Sequence, residues 1–115
     1  MASQLREVNI KADMPTADEA IKRVTFNISR SRSMGCTAVK FIHGYGSTGK
    51  GGKIRTEVRA YLARQKQQGA IRDYIPGENF SIFDSATRDA FPRCGALRTD
   101  SDLERSNNGI TIVLL

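Results

Sequence analysis

Between Thr37 and Leu62 the sequence changes its period twice, reading TAVKFI, then HGYGSTGKGGK, then IRTEVRAYL. The first run, Thr37 to Ile42, is β-branched and aromatic, apolar toward both faces and too brief for a helix. Such a strand lies inside a sheet, with a neighbour on either side. The third run places Ile54, Val58, Tyr61 and Leu62 on one helical face, and Gly69 stops it. An inner strand joined through glycine to an amphipathic helix commits the chain to an α/β sheet that its helices cover.

The remaining segments follow that plan. Leu5 to Ile10 reads as a short strand. Pro15 and Thr16 open a helix whose apolar positions are Ala17, Ala20, Ile21, Val24 and Ile28, with Asp18 and Glu19 in the first turn where the helix dipole favours acids. Arg30 to Ser33 and Gly35 end it. Ile71 to Ile75 is expected as a third strand, closed by Pro76-Gly77. Ser81 and Asp84 read as a capping box for a short helix with Phe83, Ala86 and Ala90, which Pro92 ends. Arg98 to Asn108 reads as a polar loop and Gly109 to Leu115 as a last, buried strand. Strands alternating with helices imply a sheet that is at least partly parallel. At 115 residues, with no repeat or linker, the chain is expected to be a single domain over residues 1–115.

Charge narrows the partners. Met1 to Gly69 holds 13 Lys+Arg against 5 Asp+Glu, whereas Ala70 to Leu115 holds 5 against 7. The positive field therefore belongs to the part that contains the glycine run, and such a field concentrates polyanions. No apolar stretch is long enough to span a bilayer, and the N-terminal MASQLREVNIKAD lacks the apolar core of a signal peptide. A cytoplasmic, monomeric protein that does not engage membranes is expected. Cys36 and Cys94 stand apart without CxxC spacing and read as plain buried thiols.

The glycine run joins the end of an inner strand to the start of a helix, the position at which open α/β sheets bind ligands. Unpaired N–H groups and the positive end of the helix dipole favour a phosphate there. Gly44, Gly46, Gly49, Gly51 and Gly52 let the backbone approach it, and Lys50, Lys53 and Arg55 add charge at the rim. Arg55, Arg59 and Lys66 continue as a stripe beside the apolar face of the helix. Gly44 to Lys50 also matches the opening of a Walker A loop, but Gly51 stands where a hydroxyl must hold magnesium, so a nucleotide hydrolase is rejected. His43, the chain's only histidine, is expected to serve this phosphate site as ligand, acid or base. Asp100, Asp102 and Glu104 have a spacing that a divalent cation could use, although a solvated turn is the plainer reading.

Val39-Lys-Phe-Ile-His43-Gly-Tyr-Gly46-Ser-Thr-Gly49, with the basic helix that follows, resembles the HGxGxG signature of the Smr (small MutS-related) domain family. Thr16 to Ala20 resembles that family's first helix, and Asn108 to Val113 its closing strand. The resemblance implies a two-layer α/β sandwich: a mixed sheet of about four strands, two main helices and one short extra helix. It also implies DNA or RNA as partner, since many members nick or cleave nucleic acid. The family's first strand usually ends in LDxHG, whose aspartate and histidine are implicated in cleavage. Here Asn9 stands for the carboxylate and Lys11 for the histidine, which favours binding over hydrolysis. The expected interface is Lys11, Gly44, Tyr45, Gly46, Gly49, Lys50, Lys53, Arg55, Arg59 and Lys66, with His43 as the candidate catalytic residue. No metal site and no cofactor are expected, a divalent cation being needed only by a nuclease. The alternatives are a divergent endonuclease using His43 with another carboxylate such as Asp13, and a docking module for an acidic protein.

Overall fold

The computed structural model describes residues 4–44 and 50–115, for residues 50 and 51 the backbone only. Strands β1 (Leu5–Asn9), β2 (Ala38–Ile42), β3 (Asp73–Pro76) and β4 (Ile110–Leu114) form one sheet in the order β1-β2-β4-β3. β1 pairs parallel to β2, with Val8 opposite Phe41, while β4 runs antiparallel to both β2 and β3. The sheet is therefore mixed, and β2 and β4 are its inner strands. Two long helices, α1 (Ala17–Ser33) and α2 (Lys50–Gln67), and a short one, α3 (Ser85–Ala90), complete the α/β architecture. No helix among the described residues is long and apolar enough to cross a membrane.

The two-residue period of β2 sorts its side chains between two cores. Val39 and Phe41 face α1 and α2, where Ala20, Val24 and Ile28 meet Ile54, Val58 and Leu62 together with Ile10 and Val113. Ala38 faces the other way, toward Ile75, Ile110, Ile112 and Leu114, and this side is covered by Phe80, Ala90, Phe91, Cys94 and Leu97. Each such buried aliphatic or aromatic side chain stabilises the fold by roughly 1.5–3 kcal/mol relative to exposure. α1 starts at a full capping box, Thr16 Oγ1 accepting from Glu19 N–H and Glu19 Oε1 accepting from Thr16 N–H.

Several boundaries differ from the sequence expectation, each for a local reason. α2 begins at Lys50, so Lys50 to Gly52 are helical and not loop; the N–H groups of a first turn need no partner within the helix, so glycine is tolerated there. The third strand is Asp73–Pro76 and not Ile71 to Ile75, because the N–H groups of Ala70 and Ile71 still bond back to Gln65 O at the end of α2. Pro76 fits because β3 is an edge strand. The cap of α3 is Asp84, whose carboxylate accepts from Thr87 N–H. Ser81 Oγ instead accepts from Phe83 N–H, which leaves Phe83 ahead of the helix and exposed. Gly77 has Asn107 O 1.8 Å from where its Cβ would stand, so this corner admits no side chain.

The stretch read as a polar loop, Arg98 to Asn108, does more than connect. Lys40, on the inner strand, is 4% exposed and points into the second core. Its ammonium donates to both oxygens of Asp100 at 3.0 Å and to Asp102 Oδ2 at 2.7 Å, and Asn107 Nδ2 donates to the other Asp102 oxygen at 2.9 Å. Burial alone would raise the Asp102 carboxyl, but the Asn107 and Lys40 hydrogen bonds hold it below its usual value near 3.8. A carboxylate depressed in the folded state contributes stability that is present above that usual value and is lost as pH falls through the folded one. Lys40→Ala leaves two half-buried carboxylates without the buried cation that holds them, so urea unfolding is expected to show a loss of about 3–5 kcal/mol. A loss below about 1 kcal/mol, the range of a surface ion pair, would contradict the buried pairing.

Candidate functional site

Because β1 and β2 are parallel and each is followed by its helix, both strands end, and both helices begin, at one edge of the sheet. Pro15, Thr16 and Ala17 of the first crossover and Lys53 and Ile54 of the second line one small hollow there. The two N-termini differ in charge. α1 carries Asp18 and Glu19 in its first turn and satisfies its own N–H groups through the capping box. α2 has no acid in its first turn, which contains Lys50 and Lys53. Its dipole, equivalent to roughly half a positive charge, is reinforced rather than cancelled.

Lys11 stands at the same edge. β1 ends at Asn9, whose Oδ1 accepts from Lys11 N–H at 2.9 Å, and Arg23 Nη1 donates to Ile10 O and Ala12 O to fix the turn. The exposed Lys11 side chain then lies across Gly44, its Cδ 3.3 Å from where a Cβ on Gly44 would stand. With φ at +83°, Gly44 occupies a backbone region that glycine alone enters readily. Asp13 is exposed on this turn with φ +64°.

His43 is the buried end of the edge, 1% exposed on the helix-covered side of the sheet. Its Nδ1 lies 3.0 Å from Gly44 O and its Nε2 lies 2.8 Å from Thr111 Oγ1. A carbonyl only accepts, so Nδ1 carries the proton, and Nε2 then accepts from the Thr111 hydroxyl. That hydroxyl in turn accepts from Arg59 Nε–H at 3.0 Å. Desolvation pushes the imidazole down to about 4, the Gly44 carbonyl opposes this, and the Arg59 and Arg55 charges add to it. The ring is neutral at physiological pH, with both nitrogens engaged.

Arg59 is folded inward. Besides Thr111 it reaches both oxygens of Glu78 at 2.8 and 2.7 Å and the carbonyls of Ile110 and Asn108. Burial would raise the Glu78 carboxyl, but these Arg59 hydrogen bonds hold it below the usual range. Arg55, one turn earlier, is half-buried within electrostatic reach of His43 and Glu78. Lys53 is exposed. Lys66 lies at the far end of α2, paired with Asp73 at 3.0 Å. The structure thus brings Lys11, His43, Gly44, Lys53, Arg55 and Arg59 together, and leaves Lys66 apart. Tyr45, Gly46 and Gly49 lie outside the described residues, as does the side chain of Lys50.

Two members of this arrangement, Thr111 and Glu78, were not anticipated. Thr111 carried a signal, being the one hydroxyl inside the apolar run Ile110 to Leu115. Glu78 carried none. Asp100 and Asp102 lie with Lys40 on the opposite face of the sheet from His43, and Glu104 accepts from Ser81 Oγ and Ile82 N–H. Among the described residues no three His, Cys, Asp or Glu side chains cluster to hold a metal ion.

A family model described as Smr domain matches residues 13–79. The chain is also similar to the crystal structure of the Smr domain of Thermus thermophilus MutS2, with a TM-score of 0.58 and 20% sequence identity over 96% of this chain and 96% of that one. At this identity the likeness is one of fold. No curated protein matches the chain.

Two outcomes follow from the network around Thr111. The imidazole of His43 is expected not to titrate between pH 5 and 8 and to keep its Nδ1–H tautomer, as read by nitrogen-15 NMR; a midpoint near 6.5 would show the ring exposed. Because the folded value lies below the unfolded one, this histidine lowers stability as pH falls from about 6.5 toward 4. Arg59→Ala is expected to lower unfolding stability by about 1.5–3 kcal/mol, the range for hydrogen bonds to charged groups. Unchanged stability would mean that Arg59 is available for a ligand.

Proposed function

The chain belongs to the Smr domain family, a nucleic-acid-binding and nuclease-like family, and on that premise we propose that it grips backbone phosphates of DNA or RNA at the edge where α2 begins, with little or no cleavage. The observation that carries this reading is the contrast between the two helix N-termini: α1 is neutralised by its own acids, whereas α2 is free of them and flanked by Lys11, Lys53 and Arg55. Lysine, arginine and backbone N–H groups at such a place read phosphates and not bases, so binding is largely independent of sequence.

Hydrolysis needs a base to activate water as well as charge to stabilise the phosphate. The edge is rich in the second and poor in the first. Asn9 offers an amide and Lys11 an ammonium where the family pattern has carboxylate and imidazole. His43 is neutral but spends its unprotonated nitrogen on Thr111, and Glu78 is held by Arg59. His43 in this reading is a positioning residue that fixes the start of the glycine run. Cleavage assisted by a divalent cation would require the ring to leave Thr111 and a carboxylate such as Asp13 to serve in place of the missing aspartate.

Fluorescence anisotropy with single-stranded, duplex and branched substrates across a salt series tests the binding. The expected slope of log K against log salt is roughly −0.9 per phosphate neutralised on duplex DNA and roughly −0.7 on single strands. Lys53→Ala and Arg55→Ala are each expected to weaken all sequences alike and to flatten the slope by about one such step. Affinity that does not change with salt would remove the reading. In magnesium or manganese the parent chain is expected not to nick these substrates, and Asn9→Asp with Lys11→His to gain nicking. Strong cleavage by the parent, abolished by Asp13→Asn, would establish the nuclease instead.

A further inference from the structure

The helices run side by side in the same direction: Thr16 neighbours Ile54 at one end, Thr25 Oγ1 meets Tyr61 OH at 2.7 Å midway, and Arg32 neighbours Lys66 at the other. Their C-termini therefore share the end of the molecule opposite to His43. There a cleft of about 500 Å³ is lined by Arg32, Lys66, Gly69, Ala70, Ile71, Arg72 and Leu115. Arg32, Lys66 and Arg72 are the cations that line it, and the end of the molecule around them carries more positive charge than the fold requires. Arg30 and Arg32 sit in the last turn of α1, Arg64 and Lys66 in the last turn of α2, and Arg72 follows them. Two helix C-termini together offset roughly one positive charge, and Asp73 offsets another through Lys66. Five cations then leave an excess of about three, and even a carboxylate on Leu115 would leave the end positive.

The side chains are also disposed to receive a ligand. Arg32 donates through Nη2 to Ala70 O, which fixes its guanidinium at the wall of the cleft, and it makes no other hydrogen bond among the described residues. Arg72 is exposed, and its side chain has no hydrogen bond or ion pair among the described residues. The neighbouring N–H groups are already used, Gly69 on Lys66 O, Ala70 on Gln65 O and Arg72 on Leu114 O. Recognition here must come from guanidinium and ammonium groups alone, which suits the oxygens of a phosphate.

We propose that this cleft is a second phosphate-binding site, distinct from the edge where α2 begins, with Arg32 and Arg72 as its principal contacts. Its source is the backbone of the same nucleic acid or free inorganic phosphate. A duplex of about 12 base pairs, near 40 Å at roughly 3.4 Å per step, is long enough to reach along a molecule whose longest extent is 35 Å.

Amide NMR on the full chain tests it, with titrations of inorganic phosphate and of that duplex run separately. Saturable shifts at Gly69 to Arg72 are expected with the duplex, and weaker ones with phosphate; shifts with phosphate alone would assign the site to the free ion. Arg72→Gln is expected to weaken duplex binding about 3- to 10-fold and to reduce the salt slope by about 0.9. If Gly69 to Arg72 stay silent in both titrations the site does not exist, whatever happens elsewhere. Gly44 and Gly52 report separately on the first edge: shifts there with none at Gly69 to Arg72 overturn this inference and keep the proposed function, and the reverse pattern does the opposite.

Discussion

The inner strand β2 and the residue that follows it bury two polar side chains, Lys40 and His43, on opposite faces of the sheet, and a buried polar group must find hydrogen-bond partners or cost the fold several kcal/mol. Apart from the Gly44 carbonyl on His43, their partners are distant in sequence. Lys40 draws in Asp100 and Asp102 from the long connection before β4. His43 draws in Thr111 from β4, and through its hydroxyl Arg59 from α2 and Glu78 from the turn after β3. α2, the turn after β3, the long connection and β4 are thus each tied to Lys40 or to His43. Among the described residues no buried side-chain nitrogen or oxygen lacks a partner.

The second of these networks decides how the edge where α2 begins is built. The Gly44 carbonyl sets the histidine tautomer, and the Thr111 hydroxyl, donating to His43 and accepting from Arg59, links the ring to the guanidinium through one atom. The histidine in turn holds Gly44 by its carbonyl. The result is a rigid base under the start of the glycine run. Charge is then distributed by contrast: Lys40, Arg59 and Arg23 are consumed internally, while Lys11, Lys53 and Arg72 remain at the surface. The positive balance of the first 69 residues is real, but only part of it is available to a partner.

The sequence displayed the elements plainly wherever periodicity was strong. α1 was legible from its apolar spacing and Thr16 box, and β2 from its β-branched run. The ends of β3 and the cap of α3 were not, because Ile71 is a core residue whose N–H bonds back to the end of α2 rather than into the sheet, and because Ser81 and Asp84 can both cap a helix until Glu104 claims one of them. The edge residues Lys11, His43 and Gly44 were legible through their order around two strand ends. The stripe Arg55, Arg59 and Lys66 was legible as geometry on a helix, but not in its partners: the inward turn of Arg59 depends on Glu78, which is nineteen residues away, and Lys66 finds Asp73. Lys40 was invisible as a core residue because nothing local announces a buried cation.

The amide of Asn9 and the ammonium of Lys11, where the pattern that this stretch resembles has carboxylate and imidazole, are not something the fold demands. Asn9 uses only its side-chain oxygen, accepting from Lys11 N–H, and an aspartate oxygen accepts the same bond at least as strongly. Lys11 is exposed and meets Gly44 through its aliphatic stem, a contact that an imidazole ring can also make. The turn would therefore stand with either pair. What would differ between the two pairs is chemistry at the edge: relative to carboxylate and imidazole, Asn9 and Lys11 lack a base and a negative charge and carry a positive one, beside a helix start without acids. In the function proposed above, such a difference would strengthen the hold on a phosphate while withdrawing the means to break its ester. Since the scaffold accommodates both states, the proposed separation of binding from cleavage would rest on side-chain identity at two positions, with the backbone geometry left alone.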